Sequence, residues 1–169
     1  MNINLIYKTK LMATEIERKF LVDNNLWKPM VVGKKIAQGY LQHDANKVVR
    51  VRIKGNQGFL TIKGKNNGIS RLEFEYEIPI ADAKELLLLC DSGVIEKTRF
   101  EVPYKGFIWE VDDFEGDNDG LLLAEVEMES VDDQPELPQW ICEEVSGDKK
   151  YFNSHLSQFP FNTWRENEL

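Results

Sequence analysis

Charged side chains of one sign recur at alternate positions along several short stretches. "VVRVRIK" sets Arg50, Arg52 and Lys54 at every second residue, and "TIKGK" adds Lys63 and Lys65. "RLEFEYEI" carries Glu73, Glu75 and Glu77 behind Arg71, and "LLLAEVEME" carries Glu125, Glu127 and Glu129. "TEIERKFLV" mixes the signs as Glu15, Glu17 and Lys19, "EKTRFE" offers Lys97, Arg99 and Glu101, and "WEVDDF" offers Glu110 and Asp112. Clustered basic groups suit an anion with many oxygens, and clustered carboxylates suit hard cations. Phosphates together with Mg2+ or Mn2+ satisfy both sets at once.

An alternating pattern belongs to strands, where successive side chains point to opposite faces. Candidate strands cover 14–22, 35–43, 47–54, 58–65, 70–78, 94–102, 105–113 and 121–129. Gly-, Asn- and Asp-rich turns such as "KGNQGF", "GKNNGIS", "PYKGF" and "EGDNDG" separate several of them and favour antiparallel pairing. "IADAKELLLLC" has the spacing of a helix, with Asp82 near its start. After Pro138, "QWICEEV" and "KKYFNSHLSQF" read as one or two short helices across an end of the fold. The chain is therefore expected to be α+β, with eight antiparallel strands that close into a barrel and remove their edges.

Any one alternating strand is ordinarily a sheet with one wet face. The sorting of signs is what departs from that reading, because like charges at neighbouring positions repel. Apolar residues opposite the charges, such as Val49, Val51, Ile53, Leu72, Phe74 and Tyr76, would then pack outward against cover. An inward charged face must be wet or filled by ligand, since dry burial of so many charges costs tens of kcal/mol, on the order of Born estimates.

The 169 residues suit one domain, with residues 1–12 as an N-terminal extension, 13–160 as the folded unit and 161–169 as a tail. Met12 directly precedes the periodic pattern and reads as a natural start. A net charge of −8 argues against a general nucleic-acid binder. No stretch reaches the ~20 apolar residues of a membrane span, and no secretory signal is evident. Cys90 and Cys142 have no metal-ligand spacing, so a cytoplasmic, reduced location is expected. With only His43 and His155, neither beside a nucleophile motif, a Ser-His-Asp or Cys-His mechanism has no support. "EGDNDG" lacks the ligand pattern of a calcium loop and reads as a turn.

"EIERKF", followed in order by "RVRIK", "TIKGK", "EFEYEIP", "KTRF", "WEVDDFEG" and "LAEVEME", resembles the CYTH superfamily, the triphosphate tunnel metalloenzymes. The resemblance runs from Thr14 to "EVSGDKKYFNSHL" and implies an eight-stranded antiparallel tunnel that holds a divalent metal and a triphosphate. It implies Glu15, Glu17, Glu125 and Glu127 as metal ligands. Glu73, Glu75 and Asp112 would support the metal or order the basic side chains. Lys19, Arg50, Arg52, Lys63, Lys97 and Arg99 would bind phosphate oxygens, Tyr40 would work beside Lys97, and a helix near Tyr151 to Ser157 would plug one mouth.

Within that family the small bacterial inorganic triphosphatases are most similar in "EIERKFLV" and in the "GDKKYFNSHL" tail. The expected activity is metal-dependent hydrolysis of inorganic triphosphate, with nucleoside or thiamine triphosphates as further substrates. A class IV adenylate cyclase is the alternative enzyme, and a non-catalytic triphosphate-binding module is a third reading. A homodimer through an exposed barrel flank is compatible with the sequence, and no nucleic-acid or membrane partner is expected.

Overall fold

The computed structural model describes residues 14–44 and 46–166. The expected extension and the last three residues lie outside them. Nine strands form: β1 Thr14–Val22, β2 Lys34–His43, β3 Val48–Lys54, β4 Gln57–Lys63, β5 Ser70–Ile78, β6 Ile95–Tyr104, β7 Phe107–Phe114, β8 Leu122–Glu127 and β9 Ile141–Glu144. The first eight match the eight expected strands to within a few residues at their ends.

They are joined in the order β5-β4-β3-β2-β6-β7-β8-β1, and β1 returns to β5 to close the barrel. All pairings are antiparallel. The closing seam is short, with Thr14, Glu15 and Ile16 opposite Leu72, Arg71 and Ser70. The remaining length of that β1 edge is taken by β9, which pairs Phe20 with Glu144 and Val22 with Ile141. "QWICEEV" thus contains a strand and not the expected helix. The vacant half-edge of β1 offers backbone partners that a surface helix could not use.

Two apolar cores sit on opposite sides of the barrel wall. Outside it, Phe20, Val102, Trp109, Val111, Ala124 and Val126 pack under Trp27 and Trp140. Trp27 and Trp109 each meet Trp140 edge-on, at centroid distances of 5.0 and 5.9 Å. Inside it, at one end, the inward positions turn from charged to apolar. Ile95, Phe114 and Leu123 share the face of Lys97, Asp112 and Glu125, and Leu156 packs against them with Val145. Leu156 belongs to α2 (Asn153–Leu156), which follows a 3-10 turn at Lys149–Tyr151. This end of the bore is sealed, as the plug reading expects. A further 3-10 helix at Phe161–Glu166 adds Phe161 and Trp164 to the same cluster.

The other helix, α1 (Ile80–Leu88), covers β2, β3 and β4 from outside. Its approach depends on glycine. A Cβ at Gly58 would lie 2.7 Å from the Cβ of Ala83, and one at Gly39 would lie 2.6 Å from Sγ of Cys90. The outward residues of β5 have no such cover: Leu72, Phe74 and Tyr76 remain 42, 46 and 55% exposed. No helix among the described residues is long and apolar enough to cross a membrane.

Candidate active site

The barrel encloses a cavity of about 620 Å3. Thirteen of the fourteen expected site residues line it: Glu15, Glu17, Lys19, Tyr40, Arg50, Arg52, Lys63, Glu73, Glu75, Lys97, Arg99, Glu125 and Glu127. Asp112 stands behind this surface, 1% exposed, and acts on it through Lys97 and Arg99. Alternation along seven strands turns these side chains inward, and registers such as Lys19↔Glu125 and Glu17↔Glu127 bring them level. The inward reading does not extend to Lys65, Glu77 and Glu129, which are exposed, or to Lys54, which ion-pairs with Glu101 outside the cavity.

The charges form three ion-paired clusters. Arg99 donates through Nε and Nη2 to the two oxygens of Asp112, both at 2.6 Å, and through Nη2 to Glu125 at 2.8 Å. Its Nη1 donates to Glu110. Lys97 donates to Asp112 at 2.5 Å. Lys19 pairs with Glu125 at 2.9 Å. Across the bore, Arg50 and Arg52 reach Glu75 at 3.3 and 2.8 Å, with the Thr61 hydroxyl donating to the same oxygen. Lys63 bridges Glu15 and Glu73, and Arg71 donates to Glu15 at 2.8 Å.

Burial and neighbours set the protonation. Burial pushes the Lys97 ammonium down to about 8, against the pull of Asp112. Burial opposes ionisation of Glu125 as well, but Lys19 and Arg99 outweigh it and hold this carboxyl well below the usual range. Glu15 is likewise held low, because Lys63 and Arg71 overcome its burial. Glu17 goes the other way. Burial and the negative charge of Glu125 push it up to about 7, and Lys19, 4.0 Å away, does not compensate. The Tyr40 hydroxyl, raised by burial, accepts from Gln38 Nε2 at 3.1 Å and keeps its own proton to give.

Three buried donors have no partner among the described residues: Nε1 of Trp109 in the outer core, and Nε of Arg50 and of Arg52, which belong to residues lining the cavity. Buried N–H groups are normally satisfied, so orphans lining a cavity mark where acceptor oxygens belong. For a cation the donor set is chemically apt, since Glu15, Glu17, Glu125 and Glu127 are all hard oxygen ligands. Among the described residues, though, no three acidic side chains converge as a ready-made ligand group. Glu15, Glu73 and Glu125 face lysine and arginine instead. Glu17, level with Glu127 and poorly compensated, is the carboxyl that a divalent ion would relieve most.

Alternation marks a face but says nothing of its extent, and several lining residues lay beyond it. Arg71 and Glu110 belong to the inward set, although no role had attached to them. Ser146, Phe152, Asn153 and Ser154 come from the C-terminal turn, where no strand period exists to reveal them. Asn153 Oδ1 accepts from Lys97 at 3.2 Å, and the Tyr151 carbonyl lies 3.5 Å from Lys19 Nζ.

A closed antiparallel barrel with a charge-lined, one-end-sealed bore is the architecture of proteins that act on small polyanions. The CYTH domain matches residues 13–158, and the chain belongs to that family. An inorganic triphosphatase of Acetivibrio thermocellus is 46% identical over 156 residues, covering 92% of this chain and all of that protein. An inorganic triphosphatase of Nitrosomonas europaea is 36% identical over 153 residues, covering 85% and 97% of the two chains. The crystal structure of an inorganic triphosphatase superposes with a TM-score of 0.62 at 34% identity, covering 86% of this chain and 95% of that one. Triphosphatases of this family are metalloenzymes.

Proposed function

We propose that this protein is a metal-dependent hydrolase that cleaves inorganic triphosphate inside the barrel. One observation carries the reading: a sealed bore holds seven lysines and arginines among seven glutamates, with two arginine Nε donors left unpaired. Arg50, Arg52, Lys63, Arg99 and Lys19 bind the non-bridging oxygens of the substrate, displacing their carboxylate partners. Once they hold the substrate, these cations stabilise charge that develops on transferred and leaving oxygens without further reorganisation. Water attacks a terminal phosphorus, the bridging P–O bond breaks, and orthophosphate and pyrophosphate result. Lys97 and Tyr40 are the catalytic pair. Lys97 keeps its proton at neutral pH and meets the charge on the reacting phosphoryl group, while the Tyr40 O–H donates beside it.

Glu17 and Glu127, with Glu15 and Glu125 on the same strands, would hold Mg2+ or Mn2+. Glu73, Glu75 and Asp112 order the basic side chains. When bound, the metal supplies charge neutralisation and a more acidic water. A cytoplasmic location completes the reading, and sedimentation velocity tests whether the exposed flank at Leu72, Phe74 and Tyr76 pairs two copies of the chain.

The decisive assay offers the protein tripolyphosphate or ATP with Mg2+ or Mn2+ and separates the products. Orthophosphate and pyrophosphate from tripolyphosphate are expected. Cyclic AMP as the main product from ATP would make it a cyclase. Tight tripolyphosphate binding without release of phosphate at any metal concentration would make it a binding module.

A further inference from the structure

The sealed end of the bore is more than a stopper. Its lining turn touches both lysines of that end. Asn153 Oδ1 accepts from Lys97 Nζ, the Tyr151 carbonyl faces Lys19 Nζ, and the Phe152 ring lies 5.5 Å from that same ammonium. Lys97 can only donate, so the atom of Asn153 that meets it must be the carbonyl oxygen. The amide nitrogen is thereby turned away from Lys97. Asn153 lines the cavity, and among the described residues its Nδ2 donates to no protein atom. Two N–H bonds are left at the closed end, beside Lys97 and ahead of the apolar seal made by Leu156, Ile95, Phe114 and Leu123.

We infer that Asn153 positions Lys97 and donates its amide to the phosphoryl group that reaches the closed end, so that the 151–154 turn is an end-stop that sets the length of polyphosphate the tunnel accepts. The inference rests on the proposed triphosphatase reading, which it deepens. A chain of three phosphoryl groups ends on Asn153 with every non-bridging oxygen among the cavity's lysines and arginines. A chain of four meets the same apolar seal, so its extra group is held toward the open mouth.

Two variants separate the two parts of the role. Asn153→Asp keeps an oxygen on Lys97 but replaces the donor with a negative charge. It is expected to raise KM for tripolyphosphate about tenfold while kcat stays within about threefold, the scale of a lost hydrogen bond to a charged group. Asn153→Ala loses both functions. It is expected to lower kcat about tenfold and to shrink the preference for tripolyphosphate over tetrapolyphosphate by a similar factor. Calorimetric binding of tripolyphosphate is read alongside, with thermal melting to confirm that both variants fold. Unchanged affinity in Asn153→Asp, or an unchanged length preference in folded Asn153→Ala, overturns the inference. If the unsubstituted protein binds tripolyphosphate without cleaving it, the triphosphatase reading fails, and Asn153 is judged on the affinities and on length preference in binding. If it binds none, both readings fall.

Discussion

In the proposed reaction the chemistry turns on Lys97. It is 1% exposed and held by Asp112 and Asn153. Lys97→Met removes the ammonium but leaves Asp112 engaged by Arg99, so the fold should survive and kcat should fall about 10²- to 10³-fold in steady-state assays. Because burial sets the Lys97 ammonium at about 8, activity that needs its proton should decline as pH rises through that value, and Lys97→Arg should move the decline out of range. Glu17 carries a different signature. Folded, it keeps its proton up to about pH 7, whereas an unfolded glutamate loses it near 4.5. The native state therefore holds the extra proton between those values, and this group's contribution to stability is largest below 4.5 and declines as pH rises through 7. Glu17→Gln should stabilise the apo-protein at pH 8 by roughly 1–2 kcal/mol in denaturant titrations, and metal-dependent activity should be lost. Alternation turned Glu15, Glu17 and Glu125 inward, and the family resemblance grouped them as metal ligands. Neither could say that Glu15 and Glu125 would turn to Lys63, Arg71, Lys19 and Arg99 while Glu17 stayed poorly paired. Strand period assigns a face, and the partner depends on register and tilt.

Among the elements, α1 and β9 show opposite ways in which a segment is placed. The apolar spacing of "IADAKELLLLC" suffices to make a helix, but its seat on the barrel is written in Gly58 and Gly39. Gly58→Ala would put a methyl 2.7 Å from Ala83 and 3.0 Å from the Ile78 carbonyl. The helix must then lift, at about 1–3 kcal/mol in urea unfolding, with little change in the kcat of the folded fraction. "QWICEEV" has no strong period of its own. It becomes β9 because the β1–β5 seam stops after three residue pairs and leaves β1 with unpaired backbone. Tertiary demand overrides local preference there, which is why a local reading chose a helix.

For the molecule as a whole, the barrel was legible because like charges were sorted strand by strand, a pattern that a solvent-facing sheet avoids. The length of the bore was not. Ile95, Phe114 and Leu123 keep the inward parity of the charged residues, so alternation alone does not show where water ends and the plug begins. Net charge −8 surrounds a lining in which seven bases face seven acids. Free tripolyphosphate therefore approaches against the protein's field. Raising ionic strength from roughly 0.02 to 0.15 M should speed its association about two- to fivefold in stopped-flow mixing, where a basic receptor would slow.

The charge clusters also govern how a turnover ends. In the proposed reaction Glu75, Glu15 and Glu125, which hold arginines and lysines in the resting tunnel, give up those contacts to an entering polyanion. Once the bond is cut and one fragment leaves, the other has too few oxygens to occupy every cation, and the displaced glutamates reclaim the rest. The resting tunnel is thus a built-in competitor of its own products: the counter-ions that hold it together without ligand also sweep it clean.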